Sequence, residues 1–188
     1  MKNLLTFILL TISLSSLGQA SGNDKWNFKK YLSDSATSKL AKDIFNDNDW
    51  NLQNEVLAFL DSLSAKDKLA RPFYFKVVTK SYKKADGAYA EGLGNAGKNY
   101  VENNTKEFLN YFTDKKTFTK KELDDWAGIV MLEISLVAEN ADKDVFNKMI
   151  KNLNSNCKDC TAEQQKILNY FIEQLNLQWK ELAKSSNK

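Results

Sequence analysis

The chain has 188 residues, 27 Lys and Arg against 24 Asp and Glu for a net charge of +3, and no histidine. The near balance argues against a nucleic-acid binder, whose footprint is a basic face or stripe. The missing histidine excludes Ser-His-Asp and Cys-His nucleophile systems, histidine zinc sites and histidine pH switches.

Residues 1–20 read MKNLLTFILLTISLSSLGQA. Lys2 makes a basic start, Leu4 to Leu17 an apolar stretch broken only by Thr and Ser, and Gly18 and Ala20 place small residues at a cleavage site. This is the pattern of a secretory signal peptide, too short for a permanent span. No later apolar run reaches ~18 residues. The expectation is an exported chain, periplasmic or extracellular, whose mature form does not insert stably in a membrane. Residues 21–36 form a polar N-terminal segment. In it Trp26, Phe28 and Tyr31 either dock on the body or mark a binding edge.

From residue 37 to 184 the apolar periodicity is helical, and one proline in the whole chain leaves it little interrupted. A first helix is predicted over 37–46 and a second over 49–63, with Trp50, Val56, Leu57, Leu60 and Leu63 as its apolar surface. A third runs from Pro72, well placed in a first turn because its missing N–H would be unpaired there anyway, to about Tyr82. A fourth covers about 86–103 and a fifth Thr105 to Phe112. The sixth opens at Thr119-Lys-Lys-Glu122, a capping box in which hydroxyl and carboxylate satisfy free N–H groups reciprocally. The seventh covers about 143–153. The eighth opens at a second capping box, Thr161-Ala-Glu-Gln164, and ends near Ala183. Asn103-Asn104-Thr105 fits a glycosylation sequon but reads more simply as the turn between helices four and five.

Alternate helices begin near 37, 72, 105 and 143, steps of about 33 to 38 residues that suit helix-hairpin repeats. The expected fold is therefore all-α: about eight helices as four antiparallel hairpins, stacked like a solenoid or gathered as an irregular bundle. The side-chain signatures of tetratricopeptide and ankyrin repeats are absent. A chain of this length suits a single domain with one core.

Residues 92–97, Gly-Leu-Gly-Asn-Ala-Gly, have the G-x-G-x-x-G spacing of dinucleotide-binding loops. That fingerprint needs a buried strand before it, and KKADGAYAE is polar and helical in character. On a helical wheel Tyr89, Leu93, Ala96 and Tyr100 make one apolar stripe, with Gly97 beside it and Gly94 at its other edge. The glycines mark a close approach by a neighbouring element, at ~1 kcal/mol each against Ala. No nucleotide or other cofactor is implied.

Cys157-Lys-Asp-Cys160 is the only cysteine pair. A zinc site would need two more ligands, so no metal is expected. In an oxidising compartment the pair reads as a local disulfide before the last helix. Glu133 falls in the middle of the apolar face formed by Trp126, Ile129, Val130 and Val137. A carboxylate buried there must be paired or protonated. Arg71, the single arginine, is the expected partner, since its fork holds a carboxylate at two points where Lys cannot. A raised carboxyl pKa also suits a general acid, which makes Glu133 the candidate catalytic residue.

Arg71, Tyr89, Tyr100 and Trp126 are the candidate binding residues, on stripes that would border grooves between helices. The functional expectation is a protein- or peptide-binding module of inhibitor, immunity or adaptor type, with no nucleic-acid partner. The alternative is a small cell-wall or carbohydrate hydrolase using Glu133 as acid.

Overall fold

The computed structural model describes residues 24–185 apart from 53, 66 and 138–142. Residues 1–20, read from the sequence as a signal peptide, lie outside the described residues. Among the described residues the fold is all-helical, a bundle with no sheet. Its helices are α1 (Phe28–Ser33), α2 (Lys39–Phe45), α3 (Glu55–Ser64), α4 (Arg71–Ser81), α5 (Gly87–Asn103), α6 (Thr105–Thr113), α7 (Lys120–Val137), α8 (Lys143–Asn156) and α9 (Ala162–Ser185). None among the described residues is long and apolar enough to cross a membrane.

Local chemistry sets the helix starts. The Ser38 hydroxyl accepts from the amide of Ala41 and caps α2. Both capping boxes form reciprocally. The Thr119 amide donates to Glu122 at 2.8 Å while the Glu122 amide donates to the Thr119 hydroxyl at 3.3 Å. Thr161 and Gln164 repeat the exchange at 3.0 and 3.2 Å ahead of α9. Each box satisfies donors that would otherwise point out of the helix end unpaired. Pro72 sits in the first turn of α4.

The structure adds α1, which the polar stretch around Lys29-Lys30 conceals. Asp24 accepts from the amides of Phe28 and Lys29 at 2.9 and 2.8 Å and so caps it. The aromatic residues of this segment dock on the body. The Trp26 indole donates to Asp114 at 2.8 Å and its ring lies edge-on to Tyr111 and Phe118. Phe28 packs on Phe45, and Tyr31 stacks on Phe73.

Trp50 and Leu57 depart from expectation. Trp50 is buried but lies ahead of α3, which starts only at Glu55. Leu57 faces outward at 39% exposure.

Helices two apart in the chain make the largest interfaces, α5 with α7 foremost, then α3 with α5 and α7 with α9. That pairing gives a bundle rather than a stack of sequential hairpins. The glycines explain the central pair. A Cβ at Gly94 would lie 2.7 Å from the Glu133 amide nitrogen and 2.8 Å from Cβ of Leu132, and one at Gly97 would collide with Ile129. The G-x-G-x-x-G run is thus a helix-crossing surface that lets α5 reach the backbone of α7.

Around that crossing lies an aromatic core. Phe75 stacks on Trp126 with ring centroids 4.6 Å apart and planes within 5°, and Tyr111 and Phe118 close over it. Buried aromatic area of this kind is the largest single source of packing energy available to a small helical domain.

Candidate functional site

The sequence candidates separate in space. Glu133 is only half-buried and accepts a hydrogen bond from the Asn95 amide at 3.1 Å. It does not meet Arg71, which corrects the expected pair. The wheel placed Glu133 amid apolar neighbours, but Ser135, Leu136 and Val137 in the last turn of α7 are exposed. Cover ends just past Ile134, so the carboxylate stands at the edge of the core rather than within it.

Arg71 has another partner. Its Nη1 donates to both carboxylate oxygens of Glu107, at 3.0 and 2.8 Å, and its Nη2 donates to the carbonyl of Ala65 beyond the end of α3. The hydroxyls of Tyr100 and Tyr111 donate to the same Glu107 oxygen at 3.1 and 2.9 Å. Arg71 is 4% exposed, so the charge is taken out of water and held by Glu107 of α6 and the Ala65 carbonyl, with Tyr100 of α5 and Tyr111 of α6 fixing Glu107 in turn. Burial, and then the neighbouring Glu107 and hydroxyl groups, push the Tyr100 phenol far above its ordinary range. The cluster is a structural pin. Sequence reasoning missed Glu107, whose signal was its place directly before Phe108 and four residues before Tyr111.

The other binding candidates are buried too. Trp126 is fully buried and donates from its indole to the Thr79 hydroxyl at 2.8 Å. Tyr89 is 4% exposed, and its hydroxyl is hydrogen-bonded to Ser81. Burial pushes the Tyr89 phenol up to about 12, partly offset by that bond. A partner docking on the folded surface reaches neither ring. Arg71 and Tyr100 border a polar cleft of about 460 Å³ between α3 and α5, whose walls include Asn95, Asn99 and Asn103.

Cys157 and Cys160 are joined as a disulfide, with their sulfurs 2.04 Å apart. Cys157 is buried, and the pair links the end of α8 to the residue before the Thr161 cap. Among the described residues no group of three or more Cys, Asp and Glu gathers as a metal site would require.

A larger groove lies where the sequence placed nothing. It has a volume of about 760 Å³ and runs between the turn joining α6 to α7 and the first half of α9. Its floor is apolar: Phe112, Phe118, Leu123 and Ile167, each at most 9% exposed. Its rim is charged. Lys115 pairs with Glu163 at 3.3 Å at one end. At the other, Lys120 lies 3.6 Å from Asp124 and 4.1 Å above the Tyr170 ring.

The Tyr170 hydroxyl donates to Asp124 at 2.6 Å and accepts from Lys120. That contact, together with Asp124, raises the Lys120 pKa above its ordinary value. Lys166 stands between the two ends, exposed and without a carboxylate partner among the described residues. Of the features read from the sequence, the two capping boxes touch this region through Thr119, Ala162 and Glu163, and a capping box by itself signals a helix start rather than a groove. No protein-family model, curated protein or solved structure matches the chain.

Proposed function

We propose that the protein is an exported helical binding module that captures a partner protein, as an envelope inhibitor, immunity protein or adaptor does. The observation that supports this is the groove beside α9, an apolar floor of about 760 Å³ rimmed by charge. Ligand pockets combine such a floor with a few placed polar groups at ~300–1,000 Å³, a size that can seat one or two side chains of a partner protein. The export reading is supported by the leader-like residues 1–20 and by the disulfide, which suits an oxidising compartment.

Glu133 lines neither this groove nor the α3–α5 cleft. No observation favours the hydrolase alternative over capture.

The test is recovery of the tagged chain from the exported fraction of its host. One protein retained at close to equal stoichiometry is the expected result. Recovery of the chain alone, together with turnover of a cell-wall or carbohydrate polymer that Glu133→Gln abolishes, would overturn it in favour of the hydrolase.

A further inference from the structure

We infer that the α9 groove takes a short acidic segment of a partner chain, with its apolar side chains on the floor and its carboxylates on Lys120 and Lys166. The inference rests on the binding-module reading and gives it a recognition chemistry.

Size sets the first limit. Along α9 the lining runs from Ala162 to Tyr170, about 12 Å at ~1.5 Å per residue. An extended chain covers that distance in about four residues. An ion pair stands at each end, Lys115 with Glu163 and Lys120 with Asp124, so the floor is bounded lengthwise. That shape suits one or two large side chains better than a long alkyl tail. The floor offers nothing polar for a ligand to bond, since Phe112, Phe118, Leu123 and Ile167 gain only by burying apolar surface.

Charge sets the second. Three lysines line the groove against one carboxylate, Glu163, which Lys115 already neutralises. Asp124 stands just outside the lining and is shared between Lys120 and the Tyr170 hydroxyl. Lys166 is left over. Helices α7 and α9 both begin at the groove, at Lys120 and Ala162, and add the positive ends of two helix dipoles. Their capping boxes are filled by Glu122 and Gln164, so they contribute field rather than free donors. A basic partner would meet repulsion at Lys166 and find only Glu163 and Asp124, both already engaged, to pair with. An acidic one gains both orientation and encounter rate.

The experiment uses the full chain and three probes: a fluorescein-labelled hexapeptide alternating aspartate with leucine, its lysine-for-aspartate counterpart, and dodecanoate. Fluorescence anisotropy at ~0.1 M salt should show the acidic peptide binding at least about tenfold tighter than the basic one. The double variant Lys120→Glu/Lys166→Glu should weaken it by about tenfold or more. Lys148→Glu makes the same kind of charge change on the exposed face of α8, outside the groove, and should leave affinity within about twofold. Circular dichroism of each variant confirms that the fold is retained.

Equal binding of the two peptides overturns the inference, as does an unaffected double variant. Saturable binding of dodecanoate without the acidic peptide also overturns it, making the groove an amphiphile site. If the exported chain retains its stoichiometric partner equally with and without the double substitution, the groove inference falls while the module reading stands. If the acidic peptide binds as expected but no partner is retained, the module reading falls while the groove chemistry stands.

Discussion

Gly94 lies directly against the amide nitrogen of Glu133, so that α5 and α7 meet backbone to backbone where they cross. The same stretch holds a glycine with far more freedom. A Cβ at Gly92 would meet only the tips of Leu57 and Leu60, at 3.3 and 3.4 Å, and Leu57 is free to move into solvent. Gly94→Ala should therefore destabilise the fold by about 2 kcal/mol or more, the range of overpacked cores. Gly92→Ala should be neutral or stabilising by up to ~1 kcal/mol, because helix propensity improves and the clash can relax. Urea unfolding of the two variants checks this, and equal effects would contradict the crossing geometry.

The Arg71–Glu107 pair predicts a contrast between two carboxylates. Glu107→Gln leaves the buried Arg71 charge without its counter-ion and should cost about 2–3 kcal/mol, toward the lower end for such pairs because Glu107 keeps 26% of its side-chain exposure. Glu133→Gln exchanges one half-exposed acceptor for another and should stay within about 0.5 kcal/mol. In a double-mutant cycle, Arg71→Met and Glu107→Gln should couple by ~1 kcal/mol or more, the double variant losing less than the sum. Additive losses would mean that the pair is not coupled as the geometry requires.

These residues also show what the sequence carried. Most helix positions and both capping boxes are legible because periodicity and cap chemistry are local, α1 and the late start of α3 at Glu55 excepted, and the glycine run is legible as a close approach because no strand precedes it. Which helix lies opposite which is not. A wheel says that Glu133 and Arg71 face inward but not that α4 delivers Arg71 to α6, where Glu107 lies 36 residues away in sequence. The α9 groove is less legible still. Its floor joins Phe118 to Ile167 across the chain, and its rim draws on lysines that look like ordinary solvated surface until the turn and α9 come together.

Asp114 links the docked N-terminal segment to pH. Burial alone would raise its pKa, but hydrogen bonds from the Trp26 indole and from Thr117 and Lys116 outweigh burial and hold it below the ordinary carboxylate value. A folded-state pKa below the unfolded one means that the unfolded chain binds the proton more readily. The contribution is then fully present above about pH 4 and is lost as pH falls through the lower folded value. Trp26→Phe removes one of the bonds that depress it and should flatten the acid dependence of the urea midpoint below about pH 4, with little change in slope above it. An unchanged acid limb would show that the indole does not hold Asp114 in its charged form.

The disulfide closes a loop of only three peptide steps, from Cys157 to Cys160. Chain-entropy reasoning assigns so short a loop about 2 kcal/mol at most. Cys160 is the partner to change, because Cys157 is buried and its replacement would disturb packing as well as the link. The rest of the anchoring at this corner is independent of the sulfurs. Asn156 donates to the carbonyl of Glu102, Lys106 pairs with Asp159, and the Thr161–Gln164 box still starts α9. Cys160→Ser, or reduction of the wild type, should therefore lower the thermal midpoint by a few degrees while the helical circular dichroism signal persists. Peptide binding in the α9 groove should persist too, because the capping box and not the disulfide sets Ala162 and Glu163 at its rim. Loss of helix on reduction would instead make the disulfide a condition of folding, and would tie the stability of the protein to an oxidising compartment.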